Sequence, residues 1–330
     1  MKPVLVVGAT GQLGFAAVKE LLAQGRRVRA LIRDPLAQPR FSELGAETIT
    51  GDLTQLATLT AACNGVAQVV ATANAAVPSR AADTFEAVDL DGYRNLIQAA
   101  VDAKVERFIY TSVIPVPSEQ KCVLFRLKRR TEERIKASGM DYVIFRAAPF
   151  MDVTFTMMGS DIPLRGTEAA TLHRPFAFGK NHFERIKDSI EKKHIALIAG
   201  KGDVPQAFIC VDDVARFLAA AVTGGPSGVH NLTGPEALTA LDAVHLYEQV
   251  LGAKLKVKHT PAFVFRAMSR ILAPFNPAAA NLMRLTHIGA TEKSTVDEDT
   301  PKAFQVSLTS AHSYLRQRVP ANASHTPMLK

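Results

Sequence analysis

The sequence predicts an α/β protein: a doubly wound parallel sheet with a smaller C-terminal substrate lobe. Three observations carry that prediction. Short apolar runs alternate with amphipathic stretches of helical length through the first 150 residues. A glycine-rich turn joins the first of these strands to the first helix. Beyond Pro149 the alternation loosens into a stretch that mixes methionine, glycine, proline and aromatic residues. Strands separated by helices of this length imply parallel pairing through right-handed crossovers.

Val4-Leu5-Val6-Val7 is an uninterrupted apolar run between Pro3 and Gly8, as expected of a strand buried on both faces. The next stretch, 13–23, carries Leu13, Ala17, Val18, Leu21 and Leu22 on one helical face and stops at Gly25. Further strands are expected at 28–32, 47–50, 66–73, 107–112 and 142–146, with helices at 56–63, 84–103 and 121–138. Residues 1–150 then form one domain, 151–318 a lobe with segments returning to it, and 319–330 a disordered tail. Within the lobe, 150–183 has no clear periodicity and reads as loops shaping a pocket. Strands follow at 195–199, 206–210 and 230–232, and helices at 211–223, 238–251 and 263–272.

Of the 330 residues 47% are apolar and 21% charged, the balance of an ordinary globular protein. A net charge of +8 attracts anions of every kind. Its cations fall in short runs, Arg26-Arg27, Lys128-Arg129-Arg130 and Lys192-Lys193, with no nucleic-acid-reading module beside them, so no specific nucleic acid is expected. Cys63, Cys122 and Cys210 are scattered and odd in number, which argues against a zinc site or disulfide framework and for a reducing, cytoplasmic setting. No signal-peptide pattern precedes the first strand, and no apolar run has the length of a membrane span. Glu191-x-x-His194 brings one histidine on a charged helix, and Asp212-Asp213 would cap the helix that follows them. Neither predicts a metal.

Gly8-Ala9-Thr10-Gly11-Gln12-Leu13-Gly14 lies directly between the first strand and the first helix. Gly8 permits a tight turn, Gly11 lets backbone N–H groups approach a pyrophosphate, and Gly14 lets the helix pack closely on the sheet. The helix start then offers unpaired N–H groups and partial positive charge to phosphate, with Thr10, Gln12 and Leu13 completing the contacts. The spacing is G-x-x-G-x-x-G, so the context of strand, loop and helix carries the Rossmann-type dinucleotide assignment. At the end of the second strand a carboxylate would hold ribose hydroxyls, whereas an arginine accommodates a 2′-phosphate. Arg33 stands there, and NADP(H) is expected; Asp34 reads as the start of the turn before Pro35. Asp52 would lie near the adenine or cap a helix. Ala73, in the small-residue run 71–74, would let a dinucleotide cross the strand end or a helix pack closely.

Together these residues resemble the NmrA-like group of atypical short-chain dehydrogenases/reductases. The matching stretches are Val6-Val7-Gly8-Ala9-Thr10-Gly11, Leu31-Ile32-Arg33-Asp34-Pro35, Arg107-Phe108-Ile109-Tyr110-Thr111-Ser112, the run 138–146 with Pro149-Phe150-Met151, Val211-Asp212-Asp213-Val214-Ala215, and Asn231-Leu232-Thr233-Gly234-Pro235-Glu236. The likeness covers most of residues 1–255 in the expected order. It implies an NADP(H)-binding domain in a family that includes reductases of quinones, enones and aromatic substrates. The family also includes members that bind the cofactor without turnover, as redox-sensing regulators or assembly factors.

Reductases of the wider superfamily pair a tyrosine with a lysine four residues later and a nearby serine. The resemblance puts Lys128 in the lysine position, on an exposed stretch of helix opening to the crevice, and Thr111 and Ser112 where the serine would be. Leu124 stands in place of the tyrosine and cannot transfer a proton. Pro149 and Phe150 would border the nicotinamide, and Phe150 and Met151 the substrate. The expected activity is NADPH-dependent reduction of a small or medium apolar enone, quinone or aromatic carbonyl. The alternative is a catalytically weak NADP(H)-sensing regulator or complex-assembly factor. A small-molecule substrate and no integral membrane association are expected, with a homodimer or protein partner left open. The 263–272 helix, carrying Arg266 and Arg270, reads as a substrate lid or core helix in preference to a membrane contact.

Overall fold

The computed structural model describes residues 2–167 and 177–319. The strands among them are β1 (Val4–Val7), β2 (Val28–Ile32), β3 (Glu47–Thr50), β4 (Gln68–Ala71), β5 (Arg107–Val113), β6 (Asp141–Ala147), β7 (Ile195–Ala199), β8 (Gly228–Leu232) and β9 (Lys256–Thr260). Seven form one sheet in the order β3-β2-β1-β4-β5-β6-β8, every neighbouring pair parallel. β7 and β9 pair separately, also in parallel. The chain passes from β3 at one edge to β4 on the far side of β1, so the winding reverses between β1 and β4. In open α/β sheets that reversal leaves a crevice at the carboxyl ends of the strands. The expected doubly wound, Rossmann-like α/β fold is what the chain adopts.

Helices α1 (Gln12–Ala23), α2 (Gln38–Glu43), α3 (Leu56–Cys63), α4 (Tyr93–Asp102), α5 (Val123–Ala137) and α8 (Val211–Thr223) cover the two faces of the seven-stranded sheet, and the chain also forms α6 (Met151–Met157), α7 (Ala177–Ile186) and α9 (Ala240–Leu251). The remaining helices are α10 (Ala262–Leu272), α11 (Pro277–Gly289), α12 (Asp299–Phe304) and α13 (Ala311–Arg318). Because side chains alternate along a strand, β1 feeds two cores at once. Val4 and Val6 pack with Val18, Leu21, Phe217 and Leu218 of α1 and α8, while Leu5 and Val7 pack with residues of α3, α4 and α5. A third core, built on Met151, Phe155, Tyr247 and Tyr314, holds the lobe.

Several local expectations are corrected. Residues 206–210 make isolated bridges, Phe150 with Ile209 and Gln206 with Leu238, in place of a strand. The stretch read as loops contains α6, whose Met151 and Phe155, with Met158 at its C-cap, fall at helical spacing among threonines and a valine that favour strands. Part of that stretch, 168–176, and the tail from 320 onward lie outside the described residues. The helix expected over 84–103 begins as a π-helix, Glu86–Gly92, ahead of α4. There Gly92 sits so close to Leu53 that a Cβ would come within 2.8 Å of the leucine's own Cβ. β9 and α11–α13 were not anticipated; β9 reads KVKHT, with one apolar residue and no alternation of apolar side chains to detect.

The contact of α1 with the sheet rests on Gly14. A Cβ there would lie 2.1 Å from the Gly8 carbonyl oxygen and 2.9 Å from Thr72 Oγ1. Gly14→Ala must therefore push α1 off the strand ends, and a loss of about 1–3 kcal/mol is expected from such overpacking. Urea denaturation measures it; unchanged stability would mean that the helix does not depend on this approach.

Candidate functional site

A cavity of about 1040 Å³ runs from the β1–α1 turn along the strand ends to α10 and α11. Gly8, Thr10, Gly11, Gln12, Leu13 and Gly14 line its first end, all in the expected loop. Gly8 has φ +87°, and a Cβ on it would meet the Ala73 backbone nitrogen at 2.7 Å, so only glycine suits this turn. Gly11 is the N-cap of α1; no side chain caps that helix, and its first turn holds no carboxylate. The helix start is thus left with the unpaired N–H groups and dipole that favour an anion. The Gln12 side chain is turned elsewhere: its Nε2 donates to Asp152 Oδ1 at 3.2 Å.

Arg33 lies at the cavity edge, but its guanidinium forks onto Asp83, Nη1 to Oδ1 at 2.5 Å and Nη2 to Oδ2 at 3.1 Å. Asp83 also accepts from the main-chain nitrogens of Ser79 and Arg80. Burial works to raise the Asp83 carboxyl and the Arg33 guanidinium outweighs it, holding it below the usual carboxylate range. A 2′-phosphate at Arg33 must share the guanidinium with this carboxylate. Asp52 lines the same end and accepts from Thr54 N and Oγ1 at 2.9 and 2.8 Å, which serves the turn before α3, whose N-cap is Gln55. Ala73 also lines the cavity, and Tyr93 donates to its carbonyl at 2.7 Å.

At the centre the lysine expectation needs revision. Lys128 lines the cavity yet its side chain is only 4% exposed, so it is no solvated helix charge. Its Nζ donates to the Thr111 carbonyl at 3.2 Å and stands 3.5 Å from Asp89 Oδ1, over the Tyr110 ring. Asp89, carried by the π-helix, is wholly buried, and its other oxygen accepts from Ala75 N at 2.9 Å. Burial pushes the Asp89 carboxyl up and the Lys128 ammonium down, and each charge opposes the other's shift. Leu124 lies one helical turn before Lys128 on the same cavity wall. The expected serine is also engaged: Ser112 donates to Glu132 at 2.5 Å, and Arg129 and Arg146 grip the same carboxylate. The Thr111 hydroxyl, buried on the cavity wall, has no partner among the described residues.

The far end is apolar. Pro149 and Phe150 line it, but Met151 does not: it is fully buried in the third core. Phe150 is held in place when Met151 N donates to Ile209 O at 2.9 Å, which starts α6 and turns Met151 inward. Val153, Met157, Phe208, Phe265 and Leu282 take its place on the wall, with His182 among the few polar groups. Asp83, Asp89 and Asp152 were not anticipated. Asp89 alone left a trace in the sequence, a carboxylate between Val88 and Leu90 in a stretch read as helix.

The NmrA-like family model matches residues 1–309. Photosystem II assembly factor Ycf39 of Cyanophora paradoxa is 37% identical over 44% of this chain and 45% of its own length. Its namesake in Synechocystis is 25% identical over 95% of this chain and 90% of its own. Sterol demethylase protein B of Methylococcus capsulatus is 35% identical over 75% of this chain and 74% of that one. Among solved structures, an NADPH-dependent quinone oxidoreductase of Escherichia coli complexed with NADPH superposes with a TM-score of 0.69 at 20% identity, covering 95% of this chain and 99% of that one. Citrobacter sp. triphenylmethane reductase complexed with NADP(H) gives 0.69 at 19%, covering 96% and 100%. At such identities these structures bear on the fold.

Removing one partner of a buried ion pair leaves a charge uncompensated, at a cost of about 3–5 kcal/mol. Lys128→Ala is expected to lower the melting temperature, and the loss should grow with pH. Without the lysine, the folded-state pKa of Asp89 rises further above its unfolded value near 4. A group so raised is stable in the fold below the unfolded pKa and loses that stability as pH climbs through the folded one. Pairing Lys128→Met with Asp89→Asn should flatten the profile. A pH-independent loss in Lys128→Ala would show that Asp89 is not the group left behind.

Proposed function

This chain belongs to the NmrA-like family, and within it we propose an NADP(H)-dependent reductase of a small or medium apolar enone, quinone or aromatic carbonyl. One observation carries the reading: a single cavity joins the glycine turn, the buried Lys128 and the apolar lobe wall. The main-chain N–H groups from Gly11 to Gly14 would take the pyrophosphate and Arg33 the 2′-phosphate. Lys128, held from behind by Asp89, would donate to the ribose hydroxyls together with Thr111. Asp52 and Ala73 border the adenosine end, and Pro149 and Phe150 the nicotinamide end. A nicotinamide bound there supplies hydride. The chain's part is to orient it, exclude water with Met157, Phe208 and Phe265, and present a substrate against it.

Leu124 bears on the kind of substrate. With no acid one turn before Lys128, proton delivery within the site is weak. Quinones and enones suit such a site, because water can protonate the product after hydride arrives. The same leucine, with relatives named as assembly factors, favours a second reading as a cofactor-sensing assembly protein. NADPH oxidation against a panel of quinones, enones and aromatic carbonyls separates the two. Steady turnover sinks the sensor reading, and tight NADPH binding without turnover on any of them sinks the reductase.

Arg33 makes the cofactor choice testable. A hydrogen bond to a charged group is worth about 1.5–3 kcal/mol, so Arg33→Ala should weaken NADPH by roughly 10–150-fold. NADH affinity should barely move. Asp83→Ala frees the guanidinium and should tighten NADPH. Calorimetric titration reads all three, and an equal loss of both cofactors in Arg33→Ala would reject the assignment.

A further inference from the structure

α10 is built the wrong way round for a core helix. Its only buried residue is Ser269, while Phe263 is 64% exposed and Ile271 59%, and Phe275 just beyond its end is 84% exposed. Phe263, Ala267 and Ile271 recur every four residues, so they share one face, and Arg266 and Arg270 lie between them on the same exposed arc. The opposite side, with Phe265, closes the cavity and packs on α11. Charge adds a second observation. Between Glu248 and Glu292 the chain has no Asp or Glu; Lys254 pairs with Glu248, which leaves Lys256, Lys258, Arg266, Arg270 and Arg284. These five cations stand against a net charge of +8 for the whole protein.

We propose that the exposed face of α10 is a docking surface for an anionic lipid bilayer. A helix with aromatic and aliphatic residues on one arc and arginines interleaved lies in the membrane interface, apolar side chains among the acyl chains and guanidiniums at the headgroups. Anionic headgroups attract each nearby cation. A bilayer also accepts a convex ridge without a matching groove. A second copy of this chain is disfavoured, because a two-fold interface sets a patch against itself and here would oppose one carboxylate-free cationic stretch to another. Docking of this kind needs no spanning helix, and no helix among the described residues is long and apolar enough to cross a membrane.

The test is co-sedimentation of the full chain with vesicles of phosphatidylcholine alone and of phosphatidylcholine with phosphatidylglycerol. Binding should require phosphatidylglycerol and fall with added salt. The pair Arg266→Gln and Arg270→Gln should weaken it roughly 30-fold, and the pair Phe263→Ser and Phe275→Ser at least about tenfold. Thermal melting and NADPH affinity should stay at parental values in both. Should the serine pair melt lower, the glutamine pair decides alone, since among the described residues neither arginine has an ion-pair partner. No sedimentation with either vesicle, equal binding to both, or no loss in the glutamine pair overturns the proposal. So does light scattering that finds a dimer dissolved by the serine pair, which assigns the face to a second copy. No substrate enters the sedimentation, so its failure leaves the reductase reading standing.

Discussion

The architecture of the site depends on how closely α1 can approach the strand ends. Gly14 lies against the Gly8 carbonyl, Gly8 against the Ala73 main chain, and Thr72 donates to Val7 O at 3.1 Å. Any of these contacts lengthened by a side chain would lift the helix start from the crevice. The N–H groups that make it attractive to phosphate would then point at nothing. The glycines are therefore packing residues first, and the phosphate contact proposed for this turn would follow from the packing.

A second level of order comes from carboxylates set in and behind the cavity wall. Asp89 stands behind Lys128, Glu132 gathers Ser112, Arg129 and Arg146, and Asp83 holds Arg33. Each fixes a side chain that the sequence alone would leave free to choose its direction. Buried charges of this kind contribute little net stability and strongly penalise the loss of one partner. They define where a cation sits more than how firmly the protein folds. For the dinucleotide site proposed above, position would be the useful quantity.

The parallel sheet was legible because both of its faces are covered, which writes strands as unbroken apolar runs such as Val4-Leu5-Val6-Val7. The glycine turn was legible because its geometry admits few residue types. Lys128 was singled out through resemblance, but its burial was hidden, since the neighbouring Arg129 and Arg130 read as a solvated patch. Met151 was misassigned for a related reason. Sequence places it beside Phe150, whereas one hydrogen bond to Ile209 starts a helix between them and sends the two side chains apart. Asp83 and Asp152 left no local signal, because their side-chain partners lie 50 and 140 residues away, at Arg33 and Gln12. Long-range pairing of polar groups has no periodicity to read.

Asp152 joins parts of the chain that are far apart in sequence. Its carboxylate accepts from Gln12 at the start of α1 and from Val211 N at the start of α8, while its own backbone belongs to α6. It is buried, and no water is needed to satisfy it. A helix of the lobe thereby shares one polar junction with two helices of the sheet layer. Separating them would strand a carboxylate and two donors at once, so local opening at this point is all-or-none. The starts of α1 and α8 are thereby tied to α6 through one carboxylate.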